Sequence, residues 1–466
     1  MGGLAETHAP VHRPRSLAAL RALFAGAEGR SFSLVGARHS FGAQIFPVAG
    51  GEAIDLTELG GSVTLLEGEG PEQRWVRASG SMTFEALAAA VPGFLTRRPP
   101  TSDLITLAGA LVGCTHDSVG FFADHVRRFT VLTPDGRLHE CHAAAEGIAG
   151  ELFALVPGSF GTLGVVVELE LRLYAAPASR CIDIAVHRGM YVDDPACARL
   201  ATLAAQPETQ GAGLFLYGVR GPTVLFEGRV AEKAGLAPAP PLPLTDDATT
   251  RNVYLQALAS LAPRLAGWIS SRILVDGRRF RAPVYGHAFF QRSYGRAHRI
   301  LAGPSLGARA LRLLGLDPRL PVVHQTFVIP APAITAFLAI YFDELERHPA
   351  LVRRLEQQDL IRLPECGWPM HAAFGMRGGA FFLTTSIGVE RGGASEHQAS
   401  AFMGRIAALT HEPLGVKTLL LKQTHGDAEQ LRTMHAAVTA RLHAAKAEVD
   451  PRGVLRSRFF DQLTDA

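Results

Sequence analysis

The sequence predicts an α+β protein in two parts, a layered sheet domain followed by an antiparallel sheet covered by helices. Strand-like and helix-like segments alternate over the first 175 or so residues, which indicates a layered sheet. After a change in composition at Ala175-Ala176-Pro177, further strands and longer helices follow. A chain of 466 residues with 47% hydrophobic and 19% charged residues is too long for one ordinary core and is typical of two globular domains.

The first part contains short strands with recognisable boundaries. Alternating patterns predict strands at 32–35, 52–56, 74–78, 129–132, 138–141 and 165–174. A helix is expected at 83–91, before the break at Pro92-Gly93, and the turn chemistry of 133–137 predicts a hairpin. The strand at 165–174 alternates apolar with charged residues, so we expect it to be half-exposed.

The second part is expected to span residues 178 to about 425. Strands are predicted at 213–217, 223–226, 322–329, 380–387 and 417–421, and helices at 252–272, 331–347 and 396–410. The Pro-rich segment 237–243 predicts a loop. A further helical segment, about 427–447, leads to the C-terminal tail.

Three stretches of the first part are candidates for binding. In the first stretch, residues 36–42, glycines bracket a loop that follows a strand, and such a loop can present its backbone N–H groups to a phosphate. A plain surface turn is the alternative interpretation. The second stretch, residues 105–120, combines small residues that allow close approach to the backbone with the hydroxyls of Thr106, Thr115 and Ser118. The third stretch, residues 158–164, is a glycine-rich turn that enters the strand at 165–174.

Other features exclude several classes of protein. Five scattered cysteines without C-x-x-C spacing suggest neither a disulfide framework nor a metal site, although Cys114-x-His116 and Cys141-His142 invite one. A net charge of +3 without basic runs implies no nucleic-acid partner. The N-terminus lacks the apolar region of a signal peptide, and no apolar run approaches the roughly 20 residues of a membrane span. We therefore expect a cytoplasmic protein.

Taken in order, the motifs R-H-S-F-G, I-T-L-A-G-A-L-V-G-C-T-H, T-P-D-G and F-G-T-L-G-V-V-V-E-L-E-L-R-L resemble the PCMH-type FAD-binding domain of vanillyl-alcohol-oxidase-type flavoproteins. The resemblance implies an FAD-binding domain at 1–176, a substrate-binding domain at 177–426 and a C-terminal segment, 427–466, that returns to the first domain. No Rossmann or P-loop motif competes with this interpretation. The FAD contacts that the resemblance implies are Gly36, Ala37, Arg38, His39, Ser40, Phe41, Thr106, Gly109, Ala110, Gly113, Thr115, Ser118, Gly161, Gly164 and Val165.

Two segments of the second part, V-V-H-Q-T-F-V-I-P at 322–330 and L-L-L-K-Q-T-H at 419–425, are similar to strands of the decaprenylphosphoryl-β-D-ribose oxidases, which oxidise a sugar alcohol. The resemblance implies that Lys422 and His116 lie at the substrate. By strand parity His324 shares a face with Thr326 and Val328, and the family implies that this face looks at the flavin.

His39 departs from that branch, which has arginine there, and resembles the alditol and gulonolactone oxidases, which attach this histidine to the flavin 8-methyl carbon. The resemblance therefore predicts a covalent 8α-histidyl FAD. The alternative is that His39 only hydrogen-bonds within the loop. A second link through cysteine is not expected, because Asp103 and Leu104 precede the Thr106 motif.

The resemblance predicts oxidation of an alcohol of a sugar, polyol or related metabolite by hydride transfer to flavin N5, followed by reoxidation by oxygen or another acceptor. A desolvated lysine has a lowered pKa, so Lys422 is the first candidate for the base, and His116 and His324 could share the role. Two alternatives stay open, a C=C reductase resembling the sterol Δ24-reductases that consumes NADPH, and a flavin-binding module without catalysis. An amphipathic segment at 299–319 could contact an acidic membrane, although packing against the protein is favoured.

Overall fold

The computed structural model describes residues 7–40, 42–66, 68, 70–96, 104–116, 120–175, 180–190, 192–221, 223–232, 237–238, 265, 280–281, 321–371 and 373–464. Helices and largely antiparallel sheets are mixed in the chain, which confirms the α+β class. The strands are β1 Val11–His12, β2 Phe32–Val35, β3 Glu52–Asp55, β4 Val63–Leu65, β5 Gln73–Ser79, β6 Phe94–Thr96, β7 Val126–Leu132, β8 Leu138–His142, β9 Val165–Ala175, β10 Arg180–Met190, β11 Thr209–Leu216, β12 Thr223–Glu232, β13 Ala237–Pro238, β14 Phe280–Arg281, β15 Val322–Pro330, β16 Leu355–Leu363, β17 Ala380–Gly388 and β18 Lys417–Thr418.

The α-helices are α1 Leu17–Ala25, α2 Phe84–Ala90, α3 Leu107–Val112, α4 Gly147–Leu155, α5 Asp194–Ala205, α6 Ile334–Glu346, α7 Pro349–Val352, α8 Ala394–Leu414, α9 Ala428–Val449 and α10 Arg458–Thr464. Short 3₁₀ helices are η1 Ala43–Ile45, η2 Phe122–His125 and η3 Ala331–Ala333. No helix among the described residues is both long enough and apolar enough to cross a membrane.

Two sheets form the first part of the chain. Strands β1, β3 and β2 make a small parallel sheet, and β4, β5, β9, β7 and β8 make an antiparallel sheet to which β6 adds beside β9. A core of apolar side chains joins the larger sheet to α2, α3 and α4. The three binding stretches emerge from these elements, because the first follows β2, the second contains α3 and the third precedes β9.

The second part is built on one antiparallel sheet of seven strands, in the order β10-β12-β11-β16-β17-β15-β18. One face, with Phe327, Leu383 and Leu360, packs beneath α5, α6 and α8. The opposite face of β16, β17 and β15 is called the inner face here. Its residues are His324, Thr326, Val328, Ser386, Thr384, Phe382, Asp359 and Ile361.

The C-terminal elements contact the first part of the chain. Leu442, Ala445 and Val449 of α9 lie in the same core as α2, α3 and α4. Phe32 of β2 donates its N–H to Val454 O at 2.7 Å and accepts from Arg456 N at 2.9 Å. The last 40 or so residues therefore complete the environment of β2, the strand that carries the first stretch.

Two local expectations were wrong, and one helix was not predicted. The predicted strand at 417–421 ends at Thr418, because Lys422 N turns back to Leu419 O at 3.2 Å. The second stretch contains the helix α3, which Thr106 caps. Strand β9 is not half-exposed throughout, since Glu170 is buried by ion pairs with Arg77 and Arg127. The Pro-rich segment, the helix at 252–272 and the amphipathic segment at 299–319 lie outside the described residues, apart from isolated positions.

Candidate cofactor and active site

The three binding stretches meet at one place in the fold. A Cβ at Gly36 would lie 2.9 Å from Thr106 Oγ1, so the first stretch runs directly over the start of α3. A Cβ at Gly161 would lie 3.0 Å from the side chain of Leu34, and Phe160 N donates to Val112 O at 2.8 Å. Glycine is required at the first two points because no side chain fits there. The sequence therefore brings together the residues that the resemblance assigned to FAD.

Each stretch also contains a residue with a left-handed backbone. The φ angles are 62° at Arg38, 52° at Cys114 and 54° at Phe160, and such values are uncommon for residues with a side chain. Left-handed non-glycine residues are concentrated at ligand sites, where the surrounding contacts hold an unfavourable conformation. In the described part of the chain, no backbone acceptor takes the N–H of Ala37 or Ser40. These features fit a backbone cradle for a pyrophosphate.

The Arg38 side chain forms an ion pair within the protein. Its guanidinium donates to Asp55 at 2.7 Å, and Asp55 also accepts from the Thr57 hydroxyl at 2.6 Å. Burial alone would raise the pKa of Asp55, but these hydrogen bonds lower it overall. The Arg38 side chain thus stabilises the shape of the first stretch, and its neighbour His39 is half-buried.

The remaining predicted FAD contacts differ in which of their atoms, side chain or backbone, are available to a ligand. Thr106 Oγ1 accepts from Gly109 N at 3.1 Å, and Thr115 is almost buried behind α3. The side chains of Ala110 and Val165 lie in apolar cores, so only their backbones are available to a ligand. Gly164 is required by packing, because a Cβ there would lie 2.6 Å from Val131. Two further predicted contacts, Phe41 and Ser118, lie outside the described residues.

Lys422 lies on residues 419–423, called the lysine segment here, which follows β18. This segment contacts the binding stretches, because a Cβ at Gly42 would lie 3.1 Å from Lys422 O and one at Gly113 would lie 3.1 Å from Leu421. Burial lowers the pKa of Lys422 from 10.5 to about 8, and the Asp359 carboxylate opposes this effect. An amine with this pKa is partly neutral near physiological pH and can accept a proton.

Lys422 is one of few lysines in the sequence. Only four of the 46 basic residues are lysines, at positions 233, 417, 422 and 446. Burial lowers the pKa of Lys417, Lys422 and Lys446 alike. Arginine cannot lose its proton in a protein, whereas a desolvated lysine can.

The inner face carries a polar patch beside Lys422. His324 Nδ1 and Ser386 Oγ share a hydrogen bond of 2.6 Å, and the hydroxyls of Thr326 and Thr384 lie 3.0 Å apart. Asp359 lies directly opposite Thr384 in the register. Burial, followed by the charge of Lys422, holds the pKa of His324 well below its ordinary value, so its imidazole is neutral. The patch offers several donors and acceptors, as a polyhydroxylated ligand requires.

Aromatic rings surround His116 at the other end of the inner face. Its ring centroid lies 5.0 Å from Phe382 and 6.4 Å from His371. His371, which contacts Phe121 at 4.2 Å, was missed by sequence reasoning. Its Nδ1 accepts from Ala373 N at 3.1 Å, so the neutral ring carries its proton on Nε2. Burial, then His116, holds the pKa of His371 well below its ordinary value. In the described part of the chain this Nε2 has no partner.

His116 and His324 do not converge on one point. His116 contacts Phe382, whereas His324 pairs with Ser386, four residues further along β17. At about 3.3 Å per residue, these two places are about 13 Å apart along the strand. Lys422 is electrostatically coupled to His324, so the lysine and this histidine form one group and His116 belongs to another.

Comparison with known proteins identifies an FAD-binding domain in the first part of the chain. Residues 9–142, which include the first two binding stretches, match the family model described as an FAD binding domain. This match supports FAD as the cofactor and an FAD-dependent oxidoreductase as the class of protein. No curated protein matches the chain.

Proposed function

We propose that the protein oxidises a CH–OH group of a sugar, polyol or related metabolite, with Lys422 as the base and FAD as the hydride acceptor. The observation that carries this proposal is the position of Lys422, whose segment contacts the first binding stretch on one side and the polar patch of the inner face on the other. FAD supplies the hydride-accepting N5 when it is bound.

The backbone of the three stretches would hold the cofactor. The close approach of Gly36 to Thr106 and of Gly161 to Leu34 keeps this surface free of side chains. The N–H groups of Ala37 and Ser40 would face the pyrophosphate, since backbone N–H groups in such turns bind anions. Arg38 keeps the loop in shape through Asp55.

The polar patch would orient the substrate. Asp359 would accept from substrate hydroxyls, while the hydroxyls of Thr326, Thr384 and Ser386 can both donate and accept. Neutral Lys422 would take the hydroxyl proton as the hydride leaves carbon. The carboxylate of Asp359 disfavours a substrate whose reacting end is anionic.

His39 would attach the flavin through a bond between its imidazole nitrogen and the 8-methyl carbon. The imidazole N–H and one methyl C–H would be lost as protons, and the two electrons released would pass through the flavin to the oxygen or other acceptor that reoxidises it. Support comes from its place in the first stretch, three residues before Gly42, which contacts the lysine segment. Such a bond would retain the cofactor and shift its redox potential.

Anaerobic stopped-flow mixing tests the proposal. We expect a polyol or sugar from a panel of sorbitol, xylitol and glucose to bleach the flavin of the purified protein. Bleaching by NADPH and by none of the alcohols would instead identify a reductase, and bleaching by neither would contradict both activities. For the covalent bond, acid precipitation is expected to give a yellow pellet, and a colourless pellet with free FAD in the supernatant would exclude it.

A further inference from the structure

We propose that Gln44 is a positioning residue that fastens the lysine segment to the first binding stretch. Its side-chain amide donates from Nε2 to Leu420 O at 2.6 Å and to Lys422 O at 2.9 Å. Only the NH₂ end of an amide can face two carbonyl oxygens, so chemistry fixes the orientation of Gln44. The inference rests on the proposed function only where it treats Lys422 as the base.

Gln44 is itself held rigidly. It lies in η1, directly after the first stretch, and is only 3% exposed. Ser33 Oγ of β2 donates to Ile45 O at 2.8 Å, and Arg458 N of α10 donates to Phe46 O at 2.9 Å. The turn that carries the Gln44 side chain is therefore hydrogen-bonded to both β2 and α10.

The lysine segment is fixed on its opposite side by the seven-stranded sheet. Leu419 N donates to Thr326 O at 2.9 Å, and Gln423 Oε1 accepts from His324 N at 2.8 Å. Leu420 packs in an apolar cluster with Phe459 and, at its edge, Ala43 and Phe160. Residues from the first stretch, the third stretch and the sheet thus meet on five consecutive residues around Lys422.

The consequence is that hydrogen bonds from Gln44 and from the sheet position the backbone of Lys422 beside the first binding stretch. A displacement of about 1 Å at a reacting group can cost about 100-fold in rate. The charged and titratable groups that interact with Lys422 are Asp359 on β16 and His324 on β15, and His425, just after the lysine segment, acts on His324. Loss of the Gln44 contacts would admit water beside Lys422 and raise its pKa, because burial is the main cause of its lowering.

The test compares wild-type holoenzyme with Gln44→Met, which keeps the length of the side chain and has no donor. The first measurement is amide hydrogen exchange of residues 419–423, which we expect to be about 10-fold faster in the variant. The second is the pH dependence of flavin reduction by the alcohol that reduces the wild type. We expect a rate about 10- to 100-fold lower at saturation, KM changed by less than about 3-fold, and the midpoint raised by about one pH unit.

Gln358→Met is the matched control. Gln358 is also buried and donates from Nε2 to Gly218 O at 3.0 Å, but it lies on the helix-covered side of the sheet. The control is expected to lower the melting temperature and to leave the exchange of 419–423 and the pH midpoint unchanged. If Gln44→Met does not fold, Gln44→Asn, which is one methylene too short to reach both carbonyls, is expected to change both readouts in the same direction.

The outcomes separate this inference from the proposed function. Wild-type exchange of 419–423 in the Gln44 variants would overturn the inference, whatever the substrate proves to be. If no alcohol reduces the wild type, the proposed function fails and the exchange measurement still decides the role of Gln44. If an alcohol does reduce it and the variants keep both the rate and the midpoint of the wild type, the function stands and Gln44 does not position Lys422.

Discussion

Replacing Lys422 by methionine is expected to stabilise the protein at neutral pH while it abolishes alcohol oxidation. The pKa of Lys422 is lowered from 10.5 to about 8, so the folded state disfavours the protonated amine. At about 1.4 kcal/mol per pKa unit, the free-energy cost of the protonated amine in the folded state is at most about 3 kcal/mol. Because the side chain is only half-buried, water screens part of this cost, and about 1–2 kcal/mol is the expected gain.

The stability gained by Lys422→Met depends on pH. Below about pH 8 the amine is protonated in both the folded and the unfolded state, and the full cost applies. Above about pH 10.5 it is neutral in both, and the cost disappears. Lys422→Met should therefore raise the melting temperature by about 1–4 °C at pH 7, and this difference should shrink by pH 9.5.

The assay is thermal unfolding of both holoproteins at the two pH values, with Lys446→Met as the contrasting variant. Lys446 is buried, but its ammonium pairs with Asp450 at 2.7 Å and donates to Thr162 O and Leu455 O at 3.0 and 2.6 Å. Its replacement should destabilise by about 3–5 kcal/mol. Equal or lower stability of Lys422→Met at pH 7, or a gain that does not change with pH, would refute the reasoning about burial.

Three further predictions concern the cofactor and the base. If Lys422 is the base, as proposed, the rate of flavin reduction by the alcohol should rise about 10-fold per pH unit below about pH 8 and level off above it, because only the neutral amine can take the proton. Stopped-flow traces from pH 6 to 10 measure this rate. His39→Ala should give a colourless acid pellet and still bind FAD, as gel filtration followed by absorbance would show; a yellow pellet would place the bond elsewhere. Gly36→Ala should lower the flavin-to-protein ratio, because its Cβ would crowd Thr106, whereas Gly367→Ala, in open space, should leave the ratio unchanged.

Much of the local structure could be predicted from the sequence where the pattern alone determines it. Strand β2 and the hairpin of β7 and β8 have clear alternation and turn chemistry, and helix α8 has a long apolar period. Helix α3 was missed, because it is only six residues long and Gly109 in its interior has low helix propensity. It forms through tertiary contacts, such as Leu107 N to Met82 O at 2.8 Å.

The candidate site was predictable only in part, for a physical reason. The three binding stretches are local motifs, so each could be found by itself. Gln44, Asp359 and His371 have no local motif, and their roles depend on distant partners. Gln44 bonds to carbonyl groups 376 and 378 residues away, and no pattern within a short window reports such a pairing. Lys422 was placed by resemblance, but its position in a turn followed from hydrogen bonds that the apolar run at 419–421 did not reveal.

The contact between β2 and residues 454–456 has a consequence for biosynthesis. Phe32 emerges early from the ribosome, whereas Val454 and Arg456, its two hydrogen-bonding partners, emerge more than 400 residues later. Domains commonly fold as they are synthesised, N-terminal first, but β2 lacks these two hydrogen-bonding partners until residues 454–456 have been synthesised. Flavin loading should then follow the synthesis of residues 454–456, and a truncation after residue 449 should yield an early part that chaperones hold and proteases remove.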